Sequence, residues 1–207
     1  MLGAMTPSRP RDLPSEEEVR SLVERIVDGV VDSSERGDDL STVPAEPDTS
    51  RPQPEGVAIA IGADHGGFPL KERIGFRLKE AGWTVVDCGT DSTESVDYPD
   101  FAHAVALKVA SGECTWGIII DGAGIGSAMV ANKVRGVRAA LCYDISSARN
   151  SREHNHANVL TLGAALIGEG LAWQITEEWL ATDWAGGRHA RRVGKIDAID
   201  QQYSGTE

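Results

Sequence analysis

From residue 57 onward, short apolar runs rich in β-branched residues alternate with longer stretches whose apolar positions recur every three or four residues. Val57–Ile61, Thr84–Asp87, Gly117–Ile120, Val137–Cys142 and Val159–Leu162 are apolar runs without a polar alternate, the pattern of strands buried on both faces. Between them, Leu70–Ala81, Phe101–Ala110, Ile125–Val134, Ser146–Glu153 and Leu171–Ala181 carry the helical period, and Arg188–Gln201 adds a last helix. This alternation predicts an α/β domain whose parallel sheet is covered by helices on both faces. In such domains ligands bind at the carboxyl ends of the strands, which tells us which loops to read.

The first 56 residues follow another pattern. They hold seven of the nine prolines and carry a net charge of −7, against −5 for residues 57–207. We read residues 1–56 as an N-terminal extension and 57–207 as the domain. Residues 33–56 have too little apolar surface to offset ordering entropy and read as a disordered linker. One stretch of the extension is organised. Val19, Leu22, Val23, Ile26, Val27, Val30 and Val31 form a single stripe at helical spacing, and Ser15 with Glu18 makes a capping box. A short helix over about 15–31 cannot bury that stripe alone. It packs on its own domain or a sister subunit, or it is a docking peptide. Its look is similar to the encapsulation peptides on bacterial microcompartment cargo enzymes.

Charge and composition narrow the function. A net charge of −12 argues against general nucleic-acid binding, while a few local arginines can still receive a small anion. The three cysteines, Cys88, Cys114 and Cys142, form no CxxC pair, so neither a disulfide framework nor a zinc site is expected and a reducing compartment fits. No apolar run reaches the ~20 residues that span a bilayer, and the first residues lack a signal-peptide core. A cytoplasmic location is the default expectation.

The strand ends hold the candidate chemistry. After the first strand, Asp64 and His65 stand among Gly62, Gly66 and Gly67; they form a site, or Asp64 caps the next helix and His65 is surface. The single glycine before Asp64 is not a dinucleotide fingerprint. After the third strand, Gly122, Gly124 and Gly126 alternate into a helix N-terminus, where backbone amides favour negative charge. That loop cradles an anion, or it is a tight turn. Asp121 ends an otherwise apolar strand, as a partly desolvated base or as a helix cap. His154 and His156, two residues apart, do not share a helical face, so no metal pair is expected; His154 alone is an acid/base candidate or a solvent-facing helix end. Arg188 and Arg192, at i and i+4, grip a phosphate or form a solvated basic patch.

Together GADHGGFPLK (62–71), ESVDYPDFA (94–102), GAGIG with VANKVRGVRAAL (122–141), SREHNHANVL (151–160) and GGRHARR (186–192) resemble the type B ribose-5-phosphate isomerases and galactose-6-phosphate isomerase subunits. The resemblance implies a Rossmann-like three-layer sandwich on a five-stranded parallel sheet. It implies a homodimer or tetramer with sites at the subunit interface, and neither cofactor nor metal. It assigns Asp64, His65, Tyr98 and Asn155 to substrate binding, His154 to ring opening, and Arg188 and Arg192 to the phosphate, with Arg138 assisting. It makes the loop of Gly122, Ala123, Gly124, Ile125 and Gly126 the anion hole for an enediolate.

Two positions depart from the family. Asp121 stands where the ribose isomerases usually carry the cysteine base, and Ala123 where they carry a threonine. The glutamate base of another branch would enter at Ser127. Asp121 is therefore the carboxylate expected to move the proton during aldose–ketose exchange, with ribose 5-phosphate and ribulose 5-phosphate as the expected pair. The alternatives are a tetrose, deoxy or hexose phosphate, or a catalytically silent sugar-phosphate binder or assembly component. A nucleotide-dependent dehydrogenase is suggested by fold alone, which is a poor guide.

Overall fold

A computed structural model describes residues 56–203 together with Glu17, Arg20 and Ser21. Glu17, Arg20 and Ser21 are helical, inside the stretch predicted as a helix. The rest of that predicted helix, and the linker up to residue 55, lie outside the described residues. The chain divides into two units, Met1–Asp48 and Thr49–Glu207, and the second carries the α/β fold.

Five strands, β1 (Ala58–Ala63), β2 (Thr84–Asp87), β3 (Trp116–Asp121), β4 (Ala139–Leu141) and β5 (Val159–Gly163), form one parallel sheet in the order β2-β1-β3-β5-β4. Six helices follow or connect them: α1 (Phe68–Glu80), α2 (Tyr98–Ala110), α3 (Ile125–Ala131), α4 (Ile145–Glu153), α5 (Glu169–Ala181) and α6 (Arg188–Tyr203). This is the three-layer arrangement the alternation predicts. Strand side chains divide by parity. Ile59, Ile61, Ile118, Ile120, Leu160 and Leu162 pack with α1, α4 and α5 on one face. Ala60, Ile119 and Val159 pack with Val105, Ala106, Val109 and Ala131 of α2 and α3 on the other. Both faces are buried, so the sequence shows runs rather than alternation.

Among the boundaries that differ from the expectation, three have a clear local reason. α2 starts at Tyr98, not Phe101, because Pro99 is accepted in a first turn that needs no amide donor. α3 stops at Ala131, since Asn132 leaves the helix to pair its side-chain amide with both the N–H and the carbonyl of Ala139. β4 shrinks to three residues because Val137 is held in a turn on Val134 and the Arg138 amide donates to the Asn158 side chain.

β1 is flanked by β2 on one side and β3 on the other, so the order in which strands are added reverses between β1 and β3. A crevice at such a switch point is where parallel α/β sheets hold ligands. Asp64–His65 and Asp121 stand on either side of it.

Candidate active site

The carboxyl end of the sheet gathers the first group of predicted residues. Ala63 and Ile120 are register partners, so Asp64 and Asp121 begin the next row of the same strand pair. The turn after β1 presses on β3: a Cβ on Gly67 would lie 2.1 Å from the Ile120 carbonyl oxygen. Asp64 Oδ1 accepts the Gly67 amide at 2.8 Å. His65 Nδ1 lies 3.2 Å from both the amide and the carbonyl of Val96, and its tautomer decides which it bonds. Tyr98 leans over the glycine loop, where a Cβ on Gly126 would fall 2.8 Å from its hydroxyl oxygen.

A clamp built on a buried lysine fixes the start of the loop that leads to Val96 and Tyr98. Lys71, 2% exposed, donates to both oxygens of Asp87 at 2.8 and 2.7 Å. Asp87 Oδ1 also accepts the Gly89 amide, and Gly89 in turn accepts the amide of Ala63, the residue before Asp64. Lys71 lies inside a stretch quoted for the resemblance, but nothing in the sequence links it to Asp87, sixteen residues away.

The glycine loop is equally fixed. Tyr143 Oη donates to the Ala123 carbonyl at 2.6 Å, the Ala164 amide to Asp121 O and the Ala165 amide to Gly122 O. A side chain on Gly163 would collide with Ala123, at 2.7 Å from its carbonyl oxygen. Tyr143 and Gly163 were invisible as site residues in the sequence, because each acts on the Ala123 backbone from another strand end.

Asp121 takes a role the sequence left as the second of two readings. One of its oxygens accepts the amides of Ala123 and Gly124; the other accepts the Ser127 amide at 3.1 Å and the Ser127 hydroxyl at 2.5 Å. Asp121 is 5% exposed and Ser127 fully buried. Four donors occupy the four lone-pair directions of the carboxylate. Asp121 thus caps α3, and a proton-abstracting role would require it to release one of those donors. The cap also divides the expected anion hole. The Ala123 and Gly124 amides serve Asp121, whereas the first-turn amides of Ile125 and Gly126 have no acceptor among the described residues. No thiol substitutes as base: burial pushes Cys114 and Cys142 up, and Cys88 up to about 11, so all three stay protonated near neutrality.

The second group of predicted residues lies at the other end of the sheet. Arg138 immediately precedes β4, and His154 and Asn155 follow α4 just before β5 begins. Arg188 and Arg192 open α6, next to His154: the Ala185 amide donates to Glu153 O at 3.1 Å, and the His154 and His189 rings stack at 4.3 Å. Asn150 orients His154 through Nδ1 at 2.9 Å, and Asn155 donates to the Asn150 carbonyl and side-chain oxygen. Desolvation, then the charges of His154, Arg188 and Arg192, push His189 down. A cluster of this kind can receive an anion, and the α6 N-terminus adds its dipole. Arg138 belongs to this edge but is engaged within the chain, donating to the His156 carbonyl and pairing with Asp197 at 3.0 Å. Among the described residues no three His, Cys, Asp or Glu side chains converge to hold a metal.

The two groups do not meet within one chain. The six residues of β3 separate the ends of the sheet by about 17 Å at ~3.3 Å per residue, beyond the reach of an arginine side chain.

The fold and its strand-end loops define a doubly covered α/β protein with a glycine loop at one end of its sheet and an arginine–histidine cluster at the other. Comparison with known proteins gives the family. A family model described as Ribose/Galactose Isomerase matches residues 59–196. The chain is 48% identical over 144 residues to ribose-5-phosphate isomerase B of Escherichia coli, covering 70% of this chain and 97% of that one. It is 43% identical over 147 residues to a D-erythrulose-4-phosphate isomerase of Pectobacterium atrosepticum, at 70% and 97% coverage. Among solved structures, ribose-5-phosphate isomerase B of Clostridium thermocellum superposes with a TM-score of 0.70 and 52% identity, over 71% of this chain and 99% of that one. The chain belongs to the ribose/galactose isomerase family.

Proposed function

We propose that this protein interconverts an aldose phosphate and its ketose through an enediolate, with ribose 5-phosphate and ribulose 5-phosphate as the substrate pair. The observation that carries the reading is membership of the ribose/galactose isomerase family, supported by the residues gathered at the two ends of the sheet. Arg188 and Arg192 grip the phosphate and His154, oriented by Asn150, assists ring opening. His65, Tyr98 and Asn155 position hydroxyls. The Ile125 and Gly126 amides, with the loop Gly122–Gly124 shaped behind them, stabilise the developing oxyanion.

Because the halves lie at opposite ends of the sheet, the site is completed by a second copy of the chain. α6 supports this reading: Ile196, Ile199 and Tyr203 are 46%, 58% and 80% exposed beside a groove of about 690 Å³. An apolar face of that kind, on a helix that also carries the phosphate arginines, suits a symmetric dimer.

A second reading changes the sugar. Asp121 and Ala123 replace the family's cysteine and threonine in the loop that meets the reacting carbons, and one relative named above isomerises a four-carbon phosphate. A panel of tetrose, pentose, deoxy and hexose phosphates, followed by NMR in deuterated water, decides between them. Turnover of ribose 5-phosphate with deuterium entering the product carbon supports the first reading, and faster turnover of another sugar the second. Binding without turnover across the panel would leave a silent binder.

The amphipathic segment Ser15–Val31 adds a context. We assign it to docking on a microcompartment shell, since a single stripe on a polar tether needs a partner surface. Residues 1–50 fused to a fluorescent protein should form puncta when co-expressed with shell proteins; diffuse fluorescence would count against targeting.

A further inference from the structure

The family's usual base is absent from this chain, and the carboxylate that replaces it is occupied as a cap. Resting on the isomerase reading above, we propose that Asp64 is the catalytic base, and that Asp121 holds the loop against which it works.

The two carboxylates follow the paired ends of β1 and β3 but are used differently. Asp121 is 5% exposed, with all four lone-pair directions filled by Ala123, Gly124 and Ser127. Asp64 is half-buried and anchored by one bond only, from the Gly67 amide to Oδ1 at 2.8 Å. Its Oδ2 accepts nothing among the described residues. Gly66 puts no side chain against it; a Cβ there would touch the carboxylate, 3.4 Å from Oδ1 and 4.0 Å from Oδ2. One anchored oxygen and one open oxygen give a base that is fixed in direction and free to accept a proton. The scaffold behind it is rigid. The Gly67 contact with the Ile120 carbonyl fixes its turn against β3, and the Lys71–Asp87–Gly89 clamp fixes Ala63 before it.

The step balances within the substrate. Asp64 Oδ2 takes the proton from C2 of the open-chain aldose, and the C–H electron pair becomes the C1–C2 double bond. The carbonyl π pair moves onto O1, which faces the free amides of Ile125 and Gly126. The hydroxyl proton of O2 passes to O1, a carbonyl forms at C2, and the Asp64 proton is delivered to C1. No oxidant, metal or second reactant enters.

The test compares Asp64→Asn and Asp121→Asn in the full chain. Asparagine at 64 keeps an oxygen for the Gly67 amide and removes the open acceptor. For Asp64→Asn we expect kcat to fall by about a thousandfold, within the range for removal of a general base. Deuterium incorporation from solvent should fall in step, with sugar-phosphate affinity by calorimetry within about threefold of wild type. Asp64→Glu should recover part of kcat, because it restores the open carboxylate. Asp121→Asn should lower the melting temperature, as its amide group cannot accept from Ser127, yet the protein that remains folded should still exchange deuterium. Retention of exchange in Asp64→Asn would overturn the proposal. So would loss of affinity in proportion to kcat, the signature of a group that only positions substrate, or abolished exchange in a folded Asp121→Asn. Absence of exchange by the wild type on every sugar of the panel would instead sink the isomerase reading itself.

Discussion

Removing both arginines proposed to grip the phosphate, as Arg188→Ala with Arg192→Ala, is expected to lower kcat/KM by about a thousandfold while the melting temperature stays near wild type. Each charge-assisted contact to a phosphate contributes about 1.5–3 kcal/mol, and energy from the non-reacting end of the substrate is used to orient the reacting end. Both side chains are exposed at the start of α6, so their truncation leaves the core of buried Val193 and His189 intact. Steady-state kinetics with ribose 5-phosphate, beside thermal denaturation, checks both halves of the expectation. A loss below about tenfold would place the phosphate elsewhere.

The second large effect is on folding. Gly67→Ala should destabilise the domain by about 3 kcal/mol or more, a large part of the ~5–15 kcal/mol that holds a typical domain together. The backbone at Gly67 is ordinary (φ −87°), so the cost comes from space alone: the new Cβ would lie 2.1 Å from the Ile120 carbonyl oxygen and 2.6 Å from its carbon. Neither atom can swing away, because both belong to the central strand. Gly194→Ala in α6 is the control. Nothing lies within 4 Å of its Cβ position, and alanine should gain up to about 1 kcal/mol of helix propensity. Urea denaturation of both variants measures the difference.

Much of this architecture was legible in the residues. Runs such as GIII, flanked by stretches of helical period, specify a sheet covered on both faces. The carboxyl-end rule then pointed to Asp64, His65 and the glycine loop, which the structure brings together with Tyr98. Two things were not legible. Asp121, expected from the sequence as the base, is revealed as a cap only by the positions of the Ala123, Gly124 and Ser127 donors, since a carboxylate's availability depends on who already bonds it. And the carboxyl-end rule passes over His154, Arg188 and Arg192, because α4 and α5, as return helices of a parallel sheet, carry the chain to its far end. Linear order places these residues after the glycine loop; the topology places them a strand's length away. Lys71, Tyr143 and Gly163 escaped notice for a related reason, as each acts on the site through a contact long in sequence.

That separation makes the central claim testable by mixing. Asp64→Ala damages only the carboxyl-end half, and Arg188→Ala with Arg192→Ala only the other. Each variant alone should be nearly inactive. Refolded together in equal amounts, random pairing puts one intact site in each mixed dimer, so activity should return to about one quarter of wild type. Activity that stays at the level of the separate variants would contradict a site assembled from opposite ends of two copies.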